Sequence, residues 1–76
     1  MRLKLYTTSN CHLCEQAEQL LKSIKEVQDI TLIEIAINDD LIELYGTRIP
    51  VLQRTDNLAE LSWPFNSDEV KAFIKI

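Results

Sequence analysis

Polar and apolar residues alternate over residues 2–6, with Leu3 and Leu5 on one face, the period-2 signature of a strand. Thr7-Thr8-Ser9-Asn10 breaks that alternation and predicts a turn, with Ser9 or Asn10 as the N-cap of a following helix. Apolar residues then recur at Leu13, Ala17, Leu20, Leu21, Ile24 and Val27, a helical period sustained over about four turns. Glu15 and Glu18 come early in this segment and Lys22 and Lys25 late, the order a helix dipole favours. Residues 30–37 form a nearly continuous apolar run rich in isoleucine, which predicts a strand buried on both faces, as in a parallel sheet. Asn38-Asp39-Asp40 supplies caps, with Asp40 and Glu43 at capping-box spacing. A short helix through Leu41, Ile42, Leu44 and Tyr45 is expected to stop at Gly46 in a left-handed conformation. Residues 51–54 and 58–61 read as two short strands joined by a Thr55-Asp56-Asn57 hairpin. Ser67 is expected to cap a last helix with Val70, Phe73 and Ile74 on one face. The order β-α-β-α-β-β-α is that of an α/β domain. A right-handed crossover makes its first two strands parallel and puts helices on both sheet faces.

Composition narrows the class. The 76 residues make one domain, spanning 1–76, and 46% hydrophobic content suits a packed core. One glycine and two prolines leave no flexible linker, and the chain has no internal repeat. A net charge of −4 is a poor match for nucleic acid, and Lys22 and Lys25 are flanked by Glu18 and Glu26. No apolar run approaches the ~20 residues of a membrane span. The N-terminal segment is too short and too alternating for a signal peptide. The chain is therefore expected in the reducing cytoplasm, without nucleic-acid or membrane partners. Two lone cysteines there read as catalytic rather than as a structural staple.

Those cysteines carry the chemistry. Cys11-His12-Leu13-Cys14 follows the first strand and opens the first helix. Thiol–disulfide exchange needs one sulfur that attacks as thiolate and another close enough to resolve the mixed disulfide. A helix N-terminus favours the thiolate through its unpaired N–H groups and its dipole, and cysteines so placed titrate at ~3.5–7.5. Cys11 is thus the candidate nucleophile and Cys14, one turn in, the resolving thiol. The alternative is a pair of small buried hydrophobes. A closed zinc site wants four ligands, and two cysteines with one histidine do not supply them. His12 has two readings of equal weight: a partner that steadies the Cys11 thiolate, or an exposed residue at a helix start. Pro50, from its dipeptide alone, reads as a trans proline opening a strand.

Four stretches together resemble the glutaredoxins of the thioredoxin-like superfamily. They are the first strand with Cys11-His12-Leu13-Cys14; Leu44-Tyr45-Gly46-Thr47-Arg48-Ile49-Pro50-Val51-Leu52; Leu61-Ser62-Trp63-Pro64-Phe65; and the closing helix. The chain is most similar to short bacterial glutaredoxin-like proteins with a Leu-x-Trp-Pro-Phe segment. The resemblance implies a thioredoxin-like fold with a four-stranded mixed sheet flanked by helices. It implies a cis-Pro50 facing the redox pair, with catalytic residues Cys11, Cys14 and Pro50. Substrate contacts would come from His12, Leu13, Arg48, Ile49, Ser67 and Asp68. Arg48 would attract a carboxylate, or be a solvated loop arginine. Ser67 and Asp68 would meet a γ-glutamyl group, or simply cap the helix. Tyr6 and Thr8 would line the groove, or Tyr6 would sit in the core, and Trp63 and Phe65 read as packing residues.

Three departures stand out. Trp63-Pro64-Phe65-Asn66 occupies the place of the Gly-Gly pair that holds glutathione, His-Leu replaces Pro-Tyr between the cysteines, and Arg48 replaces a threonine. The implied activity is reduction of protein disulfides or glutathione mixed disulfides by a monomer. It would use an external thiol reductant such as glutathione, with no bound cofactor or metal. Two further classes stay open: an iron–sulfur carrier bridging a dimer through Cys11 and glutathione, and a binding module whose cysteines are incidental.

Overall fold

The computed structural model describes residues 2–75. It contains β1 (Arg2–Thr7), α1 (His12–Ser23), β2 (Asp29–Glu34), a 3-10 turn (Ile35–Ile37), α2 (Asp39–Tyr45), β3 (Val51–Arg54), β4 (Glu60–Ser62) and α3 (Ser67–Lys75). The sheet order is β2-β1-β3-β4. β1 runs parallel to β2, with Leu5 opposite Leu32, and antiparallel to β3, with Leu5 opposite Leu52. β4 closes the sheet antiparallel to β3. This is the α/β architecture, with its four-stranded mixed sheet, that the sequence led us to expect.

Side-chain alternation along β1 builds two cores, one on each face. Leu3 and Leu5 join Leu52, Ala17, Leu21 and Ile24 of the α1 segment, Phe65, and Val70 of α3. Tyr6 points the other way and packs with Ile35, Tyr45 and Val51 beneath α2. Leu3, Leu5, Leu21 and Leu52 are each at most 1% exposed. Burying such a side chain stabilises by ~1.5–3 kcal/mol, a sizeable share of the ~5–15 kcal/mol of a typical domain. Arg54, also buried, ties β3 to α3. Its Nε and Nη2 donate to the two Asp56 oxygens at 2.9 and 2.6 Å, and its Nη1 donates to the Phe73 carbonyl at 2.8 Å.

Several boundaries differ from the sequence reading. The N-cap of α1 is Cys11, not Ser9 or Asn10, because Asn10 takes a left-handed conformation (φ 59°) that Asn tolerates. α1 ends at Ser23, yet Ile24 stays buried and Val27 half-buried, so the apolar period outlasts the helix. β2 is not buried on both faces. It is an edge strand with Thr31 and Leu32 exposed, and the chain leaves it for the 3-10 turn when the Glu34 carboxylate accepts from Ala36 N–H at 3.1 Å. Asn38 caps α2, its Oδ1 accepting from Asp40 N–H at 2.8 Å, in place of the Asp40/Glu43 pair. Gly46 does close α2, but in a right-handed conformation (φ −53°, ψ −33°). From there Arg48 and Ile49 both donate their N–H groups back to the Tyr45 carbonyl. β4 starts at Glu60, after Leu58 in a left-handed conformation. Asn66, not Ser67, caps α3. Its Oδ1 accepts from Glu69 N–H at 2.8 Å, and its own N–H donates to the Glu69 carboxylate at 3.0 Å.

Candidate active site

β1 delivers the 7–10 loop to the N-terminus of α1, and there Cys11 and Cys14 form a disulfide across the first helical turn. Cys11 is half-buried, whereas Cys14 is only 3% exposed. The Cys14 N–H donates to Cys11 Sγ at 3.2 Å, so an otherwise unpaired helix-start donor is aimed at the outer sulfur. Cys11 thus stands at the end of α1 where unpaired N–H groups and the helix dipole favour negative charge.

Glu34, at the end of β2, holds the loop. It accepts from Ser9 N–H at 3.0 Å, from Ser9 Oγ at 3.1 Å and from Ala36 N–H. The Ala36 amide, followed by the Thr8 hydroxyl, keeps its carboxyl below the usual carboxylate range. A cleft of about 310 Å³ opens beside the disulfide. The 7–10 loop and both cysteines line it, together with Glu15 and Glu18 of α1 and Leu32 and Glu34 of β2.

The remaining candidates fall in three places. His12 and Leu13 lie on the exposed outer side of the first turn, outside the cleft lining, with His12 Nδ1 3.7 Å from the Glu15 carboxylate. Arg48, Ile49 and Pro50 lie on the α2 side. Pro50 is buried, and the Ile49–Pro50 bond is cis, as the resemblance implies. Ile49 is half-buried against the α2-side core. The Arg48 guanidinium sits 5.1 Å from the centre of the Tyr45 ring, with Nε donating to the Leu44 carbonyl and Nη1 and Nη2 3.4 Å from Glu60. Ser67 and Asp68 form the first turn of α3 and do not line the cleft. The Trp63–Pro64 bond is also cis.

Tyr6 is a core residue. Its ring stacks on Tyr45 at 4.1 Å between centroids, linking the strand that carries the cysteine loop to the helix that precedes Pro50. Tyr6 OH donates to Gln53 and Tyr45 OH donates to Glu60, each at 2.7 Å. Burial, and then the hydrogen bond to Glu60, push the Tyr45 phenol above its ordinary pKa. Trp63 and Phe65 pack edge to face, as expected of packing residues.

Thr8 lines the cleft, as the resemblance led us to expect of the groove, but nothing in the sequence analysis pointed to Glu15, Glu18, Leu32 and Glu34 as its other walls. The signal was present: Glu34 is the one charged residue inside the apolar 30–37 run, which asks for a reason at that position. Among the described residues, no group of three or more His, Cys, Asp or Glu side chains is placed to hold a metal ion.

Solved structures share this fold. The X-ray structure of target protein XcR50 from X. campestris is 33% identical, over 96% of this chain and 95% of that one, with a TM-score of 0.88. The solution structure of XcR50 gives 35% identity over 99% and 94%, with a TM-score of 0.85. Protein Ne2328 from Nitrosomonas europaea is 31% identical over 95% and 88%, with a TM-score of 0.81. No curated protein matches. Residues 2–75 match the glutaredoxin-like domain (DUF836), and the chain belongs to that family.

Proposed function

We propose that the protein is a thiol–disulfide oxidoreductase that cycles Cys11 and Cys14 between dithiol and disulfide. One observation carries the reading. The disulfide spans the first turn of α1, with the more exposed sulfur accepting a backbone N–H and opening on a cleft. In the reducing direction the Cys11 thiolate attacks a substrate disulfide, bonding to one sulfur and expelling the other as a thiolate. The Cys14 thiolate then attacks Cys11 Sγ, closing the Cys11–Cys14 bond and releasing the sulfur held there as a second thiolate, and both electrons come from the dithiol. An external thiol restores it, so no bound cofactor or metal takes part in the cycle. From the resemblance we assign substrate contact to His12, Leu13, Arg48, Ile49, Ser67 and Asp68; of these, His12 and Leu13 stand on the exposed first turn of α1 between the cysteines. We place the cycle in the cytoplasm, performed by a monomer on disulfide-bearing proteins.

Glutathione is a poor specific partner in this reading. Trp63-Pro64-Phe65 stands where close backbone approach calls for glycine, and Pro64 lacks a donor. Arg48 is engaged by Glu60 and Leu44. The test is reduction of the oxidised protein by glutathione and by thioredoxin, followed by turnover of a protein disulfide. Cys11→Ser should abolish exchange and Cys14→Ser should trap mixed disulfides. A reduced protein that exchanges with no disulfide at all would overturn the proposal.

A further inference from the structure

The cleft beside the disulfide is acidic. Glu15 and Glu18 reach it from α1 and Glu34 from β2, and among the described residues no lysine, arginine or histidine lines it. The 7–10 loop gives it hydroxyl and amide groups, and Leu32 gives it an apolar contact, 47% exposed. Glu34 is held in place through both oxygens by Ser9 and Ala36. Outside the lining, His12 Nδ1 lies 3.7 Å from Glu15 and Lys22 Nζ 3.2 Å from Glu18. Solvent-exposed pairs of this kind interact weakly and leave the carboxylates' field largely intact. Acidic residues alone make no site. Here the space they line opens onto the sulfur pair, with Cys11 and Cys14 both in its wall.

Resting on the oxidoreductase reading, we propose that this cleft selects disulfides flanked by lysine or arginine. The cationic chain lies along Glu15, Glu18 and Glu34 while its sulfur meets Cys11. The same field disfavours glutathione, whose two carboxylates outweigh its one ammonium group. The field acts whether or not a Gly-Gly pair stands before α3. Three carboxylates within about 8 Å of one cation, in a water-like medium, favour it roughly tenfold over a neutral residue. The preference shrinks as salt shortens the Debye length.

The experiment uses three disulfide-bonded peptides, identical except for flanking Lys, Gln or Glu, and measures second-order rate constants with the reduced protein. The expected order is Lys, then Gln, then Glu, with steps of roughly tenfold at low salt that converge at high salt. The Glu15→Gln/Glu18→Gln double variant should lose most of the Lys-over-Gln preference, read as the ratio of its two rate constants so that any change common to both peptides cancels. Glu26→Gln, a surface change outside the cleft, should preserve the preference and so separate a local field from net charge. Equal rates on the three peptides overturn the selectivity alone, as does an equal loss of preference in the Glu26 variant. Failure to reduce any of the three overturns the oxidoreductase reading and the selectivity with it.

Discussion

Replacing Tyr45 by Phe removes one hydroxyl from the junction between the cysteine strand and the Pro50 turn and leaves the rest in place. Tyr45 is 6% exposed, and its ring stacks on Tyr6 beside Arg48; Phe keeps both contacts. What is lost is the 2.7 Å hydrogen bond to the Glu60 carboxylate. A hydrogen bond to a charged group contributes ~1.5–3 kcal/mol. Glu60 is not orphaned, because Gln53 Nε2 lies 3.3 Å away and Arg48 at 3.4 Å, and its side chain is 26% exposed. The loss should therefore fall near the low end, ~1–1.5 kcal/mol. For a domain of this size that lowers Tm by ~5–10 °C. Tyr45→Ala, which also empties the ring's place, should cost ~3–5 kcal/mol.

Urea unfolding measures both variants, with an unchanged m-value for Phe. A double-mutant cycle with Glu60→Gln isolates the pair. The sign with pH is also fixed. The folded phenol's pKa is raised, so its stabilisation is fully present below the ordinary ~10 and is lost as pH rises toward the folded value. The gap between wild type and Phe should close in alkali. The exchange rate should not change, because the turn toward Pro50 hangs on the Tyr45 backbone carbonyl. A Phe variant as stable as wild type, or one as damaged as Ala, refutes this account of the network.

Three further outcomes follow from the geometry. Brief alkylation of the reduced protein at mildly acidic pH should label half-buried Cys11 well before Cys14, and equal labelling would contradict the assigned roles. Asp56→Asn should lower Tm at neutral pH. The Arg54 guanidinium holds the Asp56 carboxyl below the usual range, so that stability is present above ~3.9 and lost as pH falls through the folded value. Melting curves of the two proteins should accordingly converge in acid. Asn66→Ala should cost ~1 kcal/mol by removing the cap of α3, read by urea unfolding, while Ser67→Ala should cost far less.

Ser67 and Asn66 illustrate where the sequence was legible and where it was not. Both are good caps, and only the chain's entry angle decides which one supplies the oxygen; Asn66 wins because Glu69 answers it three residues on. Periodicity placed β1, α1 and α3 because each presents an apolar face to a core, and that face is written in the spacing. It overran at Val27 because a residue can keep feeding the core after the helix has ended. It misjudged β2 because composition does not reveal that a strand lies at a sheet edge. The cysteine pair was readable from its place after a strand. The cleft was not, since Glu15 and Glu34 are distant in sequence and meet only through the parallel crossover. Arg48 shows the same limit: its charge was evident, its engagement by Glu60 was not.

The position of β1 has a consequence for measuring the molecule in time. β1 is paired along both edges and packed on both faces, whereas β2 and β4 each have one neighbour. Its amides, with those of β3, should exchange with deuterium only when the whole fold opens, and the edge strands earlier. The Ser9 amide, held by Glu34 at the surface, is released by a movement of the loop alone. Exchange at β1 then clocks the lifetime of the fold and exchange at Ser9 clocks the cleft. Comparing oxidised with reduced protein tells whether breaking the disulfide loosens the site, the fold or both.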